Sequence, residues 1–191
     1  TLLFFNRTFM TDYTTTIGRT VYFPAQAKGA ARVGAPSAGA GNIWWDVLAH
    51  EGVHVHDYCA RPVRFMLLYL FPQCLALLAL GALGAIWWTP CLAFLAFLVA
   101  LAPWRAPGRV EAERRGYLMT AICDRVAGTD VMRHAYRETI VRHFTGPDYY
   151  WMDRRASKVR KMVVLLTGHG NAIAEGRAYL PDGYQHVRGL L

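Results

Sequence analysis

Residues 65–104 read FMLLYLFPQCLALLALGALGAIWWTPCLAFLAFLVALAPW, and this stretch decides the architecture of the chain. Its 40 residues include no Asp, Glu, Lys, Arg or His. Such a run offers no polar side to water, and it is long enough for two membrane-spanning helices of about 20 residues each. Gly81, Gly84 and Thr89-Pro90 lie near its centre, where a turn is expected. We therefore predict an apolar, transmembrane helical hairpin, with legs at about 65–86 and 89–102.

The rest of the chain has the composition of an ordinary folded domain. Of 191 residues, 54% are hydrophobic and 18% are charged, and all charged residues lie outside the uncharged run. This distribution excludes an intrinsically disordered chain and a nucleic-acid-binding tail, despite the formal charge of +8. We predict a domain formed by residues 1–62 and 105–191, with residues 63–104 as an inserted hairpin.

Basic residues flank both ends of the insert. Arg61 and Arg64 precede it and Arg105 follows it, whereas the predicted turn carries no charge. By the positive-inside rule both ends lie on the cytoplasmic side of a membrane. The sequence thus predicts a lipid bilayer as a partner through residues 65–104, with the remaining domain on the cytoplasmic side. The alternative is a hairpin buried inside a soluble oligomer, and the oligomeric state is open.

The remaining elements are mostly helical. Residues 11–24, TDYTTTIGRTVYFP, have the composition of a strand. A loop is expected over residues 25–41, and Asn42 is a suitable N-cap for a helix over residues 43–59. Three further helices are predicted at 109–126, 130–144 and 147–166. The fold class is α+β, mainly α. The cysteines have no CxxC spacing and are interpreted as reduced packing residues: Cys59, Cys74, Cys91 and Cys123.

The clearest chemical motif is His50-Glu51-Gly52-Val53-His54, an HExxH sequence inside the first predicted helix. Residues four apart share one side of a helix, so both imidazoles can reach one metal ion. Glu51 lies about 100° further round, where its carboxylate can take a proton from a water activated by zinc. Gly52 lowers helix propensity by roughly 1 kcal/mol, which leads us to expect close packing there. The alternative is a surface helix with scattered histidines.

A zinc site of this kind needs a third protein ligand. The position six residues after His54 is Ala60, so the extended histidine motif of the metzincins is absent. The next donors are Glu111 and Glu113, on the helix that follows the insert. A carboxylate from a second helix completes a His₂Glu ligand set. On spacing alone, both glutamates are candidates.

An HExxH helix, an apolar hairpin and a Glu-containing helix in this order resemble the gluzincin metallopeptidases. The chain is most similar to their membrane-embedded group, which includes the heat-shock membrane protease and the CAAX prenyl proteases. The second motif of that group is Glu-x-x-Ala-Asp, and residues 113–117 match it as Glu-Arg-Arg-Gly-Tyr, with Gly116 for Ala and Tyr117 for Asp. The resemblance covers about residues 12–127. It implies a zincin-like fold, zinc bound by His50, His54 and Glu113 rather than Glu111, and Glu51 as general base.

The resemblance further implies a membrane-associated zinc endopeptidase that acts on a peptide or protein substrate. In this family a strand before the HExxH helix lines the cleft, which assigns residues 16–23 to substrate pairing or to plain core sheet. The alternative is a non-catalytic protein, such as a viral ejection or structural component, embedded through its hairpin and carrying a structural or degenerate zinc site.

Charged residues near the motif have less specific interpretations. Asp46 and Asp57 lie one turn from the motif histidines, where each could either support a ligand or face solvent. Basic residues recur at helical spacing over 154–161, next to aromatic residues. We interpret this run first as a solvated surface; as a binding surface it favours anionic lipid over nucleic acid, because the apolar hairpin is nearby.

Overall fold

The computed structural model describes residues 14–23, 43–102, 104–128, 132, 134–147, 149, 151–181 and 184. The described part of the chain forms two strands, five α-helices and two long 3₁₀ helices. We label the 3₁₀ helices η1 and η2; they follow one another between the second and third α-helices. The bounds of all these elements are β1 Thr15–Ile17, β2 Thr20–Tyr22, α1 Ile43–Ala60, α2 Pro62–Leu70, η1 Gln73–Ile86, η2 Thr89–Leu101, α3 Pro107–Ala127, α4 His134–Thr145 and α5 Ala156–Ala174. The predicted class, α+β and mainly α, is confirmed. The expected loop at 25–41 and the Asn42 cap lie outside the described residues.

The N-terminal strand region is a hairpin. β1 and β2 pair antiparallel, with Thr16 opposite Val21. The chain reverses at Gly18, whose φ of +62° lies in the left-handed region that glycine adopts without strain. The predicted N-terminal strand region is confirmed within residues 14–23, where it forms two strands because this glycine turns the chain back on itself. Residues 11–13 and 24 lie outside the described residues.

The core of the domain lies around α3, which packs against both α1 and α5. Val53 of α1, Met119 of α3 and Val163 of α5 are each almost fully buried. α5 approaches α3 closely, since a Cβ added at Gly170 would lie 2.7 Å from Cβ of Ala121. α3 begins at residue 107, where residue 109 was expected, and α5 covers 156–174, where a helix over 147–166 was predicted.

The apolar run forms a hairpin whose two legs, η1 and η2, pack along each other. The ring of Phe94 lies against Gly81, and Sγ of Cys91 lies against Gly84. The predicted first leg over residues 65–86 is not one helix, because α2 ends at Leu70 and η1 leaves it at 91°. Pro72 explains the break, since proline lacks an N–H and disfavours helical geometry in the residue before it.

Among the described helices, none alone has both the length and the apolar character needed to cross a membrane. α2 and η1 reach the required length and apolar character only when taken together, and a 91° bend separates them. η2 is a shorter apolar helix. Large apolar side chains of the hairpin remain exposed, as shown by Leu83 at 66% and Trp87 at 84%. Nothing in the described chain covers this surface.

The two ends of the apolar run lie side by side. A Cβ added at Gly108, in the first turn of α3, would lie only 2.1 Å from the carbonyl oxygen of Leu68 in α2. Nε of Arg109 donates a hydrogen bond to the carbonyl oxygen of Tyr69 at 3.2 Å. α2 is thereby held against the start of α3, and the hairpin leaves and re-enters the domain at one place.

Candidate metal centre

Three predicted ligands meet between α1 and α3. The histidines His50 and His54 come from successive turns of α1, and Glu113 comes from the second turn of α3. Their ligand atoms all lie within 4.8 Å of one another, and all three side chains are buried. Nε2 of His50 lies 3.2 Å from Nε2 of His54 and 3.3 Å from Oε2 of Glu113. Nε2 of His54 lies 3.7 Å from Oε1 of Glu113.

The chemistry of these atoms suits a zinc ion. Two imidazole nitrogens and one carboxylate form a His₂Glu donor set, which leaves a fourth tetrahedral position open. Oε2 of Glu113 is buried and makes no hydrogen bond of adequate geometry within the described part of the chain. A buried acceptor left unpaired is costly, and a cation between the three side chains would satisfy it. The residues present therefore fit the group that the motif implies.

Glycine 116 allows α3 to approach the first histidine. A Cβ at this position would lie 2.6 Å from both Nε2 and Cε1 of His50, closer than van der Waals contact permits. The ring of the next residue, Tyr117, meets the His50 imidazole edge-on, with 4.6 Å between ring centroids. Residues 116 and 117 thus shape the pocket in which His50 lies.

Burial and the mutual charges of the ligands shift their pKa values in opposite directions. Burial lowers the pKa of His54 to about 4, which favours the neutral imidazole that binds metal. Burial also acts against a charged His50, but the nearby Glu113 carboxylate outweighs it and raises the pKa of His50. For Glu113, burial is outweighed by His50 and His54, so its pKa falls to about 2. The carboxylate is therefore ionised at neutral pH, as a metal ligand must be.

Glu51 lies beside the three ligands and is held by the β-hairpin. Oγ1 of Thr16 donates a hydrogen bond to Oε2 of Glu51 at 2.5 Å. Glu51 is only 8% exposed, and burial raises the pKa of its carboxyl group. The sequence indicated a strand near this helix but did not identify Thr16, because its only signal was a run of threonines.

α2 supplies a second contact that the sequence did not reveal. Oη of Tyr69 donates a hydrogen bond to Oε1 of Glu113 at 3.1 Å. Phe65 stacks on the Tyr69 ring at 5.6 Å and lies 6.4 Å from the ring of His54. The guanidinium of Arg109 lies over the Tyr69 ring, 5.1 Å from the ring centre. Tyr69 was hidden in the sequence because it belongs to the apolar run interpreted as membrane-facing.

The other acidic candidates lie outside the three-ligand group. Glu111 is exposed and binds Arg114 through both carboxylate oxygens, at 2.8 and 2.7 Å. Asp57 forms an ion pair with Arg115 at 2.9 Å. Asp46 is buried against α3, and burial, together with the charge of Asp124, raises its pKa to about 7.

The close packing expected at Gly52 is not found. A Cβ added there would meet no described atom within 4 Å, so none of the described elements requires a glycine at this position. The crowded glycine of the site is Gly116, on the facing helix.

The arrangement brings two imidazoles and a carboxylate to one point, with a second carboxylate, that of Glu51, one residue from the first ligand. Such a cluster can bind a divalent metal ion and can accept a proton beside it. Comparison of the chain with protein-family models, with curated proteins and with solved structures finds no match.

Proposed function

We propose that this chain is a membrane-associated, zinc-dependent endopeptidase with a zincin-like domain of the gluzincin type. One observation carries the proposal: His50, His54 and Glu113 converge in a buried cluster, with Glu51 next to it. A purely structural site would need no additional buried carboxylate beside its ligands. The order of elements along the chain, with the hairpin between the two ligand-bearing helices, also supports it.

In this proposal His50, His54 and Glu113 hold the zinc ion. Zinc supplies Lewis-acid chemistry, which makes a water more acidic and polarises a carbonyl oxygen. The raised pKa of Glu51 suits a group that takes up a proton and later returns it. Tyr69 orients Glu113 through its hydroxyl group, which binds Oε1, while Oε2 lies 3.3 Å from Nε2 of His50.

The β-hairpin is the proposed binding edge for the substrate. Among the described strands, β1 and β2 pair only with each other, so no described strand pairs with the outer edge of either. An extended peptide can add to such an edge through main-chain hydrogen bonds. The hydrogen bond between Thr16 and Glu51 supports this assignment, because it holds the hairpin against the proposed general base. The Thr16 hydrogen bond stabilises the ionised carboxylate, so it opposes proton uptake by Glu51.

The exposed apolar hairpin supports a membrane location, with the metal site on the cytoplasmic side by its flanking arginines. Substrates would then be peptides or proteins that reach the membrane surface.

The decisive experiment compares two glutamate variants in the purified, full-length chain. Glu51→Gln is expected to retain stoichiometric zinc but to lose peptide cleavage by roughly 10²–10⁴-fold, the usual contribution of a general base. Glu111→Gln is the matched control, because Glu111 binds only Arg114 at the surface, and it should retain both properties. Undiminished cleavage by Glu51→Gln would refute the mechanism.

A second candidate function is a non-catalytic protein that embeds in a membrane or an assembly through its hairpin. The specific observation in its favour is that Glu51 is buried and already bonded to Thr16. In that case the metal ion would only join α1 to α3. Zinc removal would then lower the thermal stability, while no peptide would be cleaved by the zinc-loaded protein.

A further inference from the structure

Helix α2 has an apolar side that no described residue covers. Val63, Met66, Leu67 and Leu70 follow the spacing i, i+3, i+4 and i+7, which places them on one stripe of the helix. Their exposed fractions are 71%, 42%, 56% and 37%. α2 has no buried residue. A stripe of this kind on a nine-residue helix would be unfavourable in water, so a partner surface is expected to cover it.

The opposite side of α2 is tied to the metal centre. Phe65 and Tyr69 lie roughly 135° around the helix from the stripe, by the 100° step of an α-helix. The Tyr69 hydroxyl donates a hydrogen bond to Glu113, and Phe65 stacks on Tyr69 near His54. The helix therefore cannot rotate its apolar stripe inward without losing the contact with Glu113.

The 91° bend determines how α2 meets the surface that receives the hairpin. At about 2.0 Å per residue, the 14 residues of η1 extend about 28 Å, close to the roughly 30 Å thickness of a hydrocarbon core. When η1 stands along the bilayer normal, α2 lies in the plane of the membrane. The apolar stripe and the hairpin then contact one continuous lipid phase.

Charge indicates the type of lipid. Arg61 and Arg64 are exposed at the start of α2, and Arg105 is half exposed where the chain leaves the hairpin. Trp104 beside it is 51% exposed, as is usual for tryptophan at a membrane interface. The start of α5 lies nearby, since Arg105 contacts Asp153 just before the helix, and the exposed Lys158 lies in its first turn. Basic residues so placed attract anionic headgroups.

We propose that α2 is an interfacial helix, which lies flat on an anionic bilayer with its stripe in the lipid and its aromatic side on the metal centre. Because an α-helix is about 10 Å wide, the metal centre lies roughly one helix diameter from the acyl boundary. Resting on the proposed peptidase function, this placement identifies the substrate class as polypeptide segments that lie on the membrane or emerge from it, rather than free peptides.

Depth measurements on the full chain test this arrangement. The exposed and half-buried cysteines, Cys59, Cys74 and Cys91, are replaced by Ala. Cys123 stays, because it is buried and its thiol pKa is raised to about 12 by burial. A nitrobenzoxadiazole label is then attached to Leu67→Cys, with Leu83→Cys as the hairpin reference and Val126→Cys as the control. Val126 is 62% exposed and, by helix length, about 27 Å further along α3 than Gly108.

The vesicles contain phosphatidylcholine and phosphatidylglycerol, with a nitroxide lipid that quenches at shallow depth. We expect quenching at Leu67 and Leu83 but none at Val126. Quenching at Leu83 without quenching at Leu67 would overturn the proposal, and so would quenching at all three positions. In the unlabelled Leu67→Cys protein, disulfide formation between two copies would also overturn it, because the stripe would then be a self-association surface.

A second measurement tests the charge argument. Changing Arg61 and Arg64 together to Gln is expected to weaken vesicle binding by roughly 30-fold. Arg125 and Arg177, which pair with Glu175 away from the hairpin, provide the control when changed to Gln, and binding should persist. Equal loss in both double variants would contradict specific attraction at α2. All labels are read in Glu51→Gln protein, so a failure of the peptidase proposal leaves these results unaffected.

Discussion

A Cβ on residue 116 would lie 2.6 Å from Nε2 of His50, so Gly116 and His50 occupy adjoining space at the metal centre. The two residues come from different helices, and the contact sets how closely α3 approaches α1. No other residue type leaves room for the imidazole in this position.

Gly116→Ala is therefore expected to move His50 and to weaken zinc binding, while overpacking lowers the free energy of unfolding by about 1–3 kcal/mol. Competition with a chelator and chemical denaturation measure the two effects. Gly52→Ala is the matched control, since nothing lies within 4 Å of its added Cβ. It should raise stability by roughly 0.5–1 kcal/mol and leave zinc affinity unchanged. Equal zinc affinity in both variants would contradict the role of Gly116.

Glu113 and Glu111 are two residues apart but differ in their surroundings. Glu113→Gln should lower zinc affinity by more than about 100-fold. Mutation of a residue that only hydrogen-bonds to a metal ligand already lowers metal affinity by up to about 100-fold, and loss of a direct ligand should lower it further. Glu111→Gln should lose only its exposed ion pair with Arg114 and should bind zinc normally. Metal analysis after dialysis distinguishes the two variants. Retention of zinc by Glu113→Gln would exclude it as the third ligand.

The hydrogen bond from Thr16 to Glu51 is expected to restrain catalysis. Thr16→Val keeps the β-branched shape but removes the donor, so cleavage should rise by roughly 5-fold, the factor for a bond of about 1 kcal/mol. Thr15→Val, on the opposite side of the same strand, should leave the rate unchanged. A lower rate for Thr16→Val would instead show that the hydroxyl holds Glu51 in its working position.

Asp46 predicts a pH dependence of stability. Its pKa is about 7 in the folded chain, raised by burial and by Asp124 from an ordinary value of 3.8. Because the folded state binds the proton more tightly, the stabilisation by protonated Asp46 is complete below about pH 4. It declines as the pH rises through 7.

Asp46→Asn should remove this decline and raise Tm at pH 8 by roughly 2–4 °C, with little change at pH 4. Thermal unfolding of the metal-free chain across this range measures the difference from the unmodified protein. An identical pH profile for the two proteins would show that Asp46 is already solvated or paired.

The local elements with strong patterns were predictable from sequence. The HExxH helix was expected at 43–59 and extends over Ile43–Ala60, because apolar and ligand positions repeat at helical spacing. The proximity of Glu113 to both histidines also follows the prediction. Glu111 and Glu113 could not be separated by spacing alone; their different burial separates them.

Features that depend on tertiary contact were not predictable. The break at Pro72 has a local signal, but its angle depends on how α2 is held against α1 and α3. Thr16 and Tyr69 contact residues 35 and 44 positions away, and neither lies in a motif. Close packing was expected at Gly52, yet among the described residues it is Gly116, and not Gly52, whose neighbour excludes a side chain.

Because Leu68 contacts Gly108, the two ends of the apolar hairpin are held together where they join the domain. The domain itself keeps these two ends adjacent, so their proximity does not depend on the length of the hairpin between them. Doubling the length of such a loop costs only about 0.6 kcal/mol of closure entropy. The segment between the two ends can accordingly be shortened to a tight turn or replaced by another anchor. The helices that carry the proposed metal ligands, α1 and α3, would keep their positions.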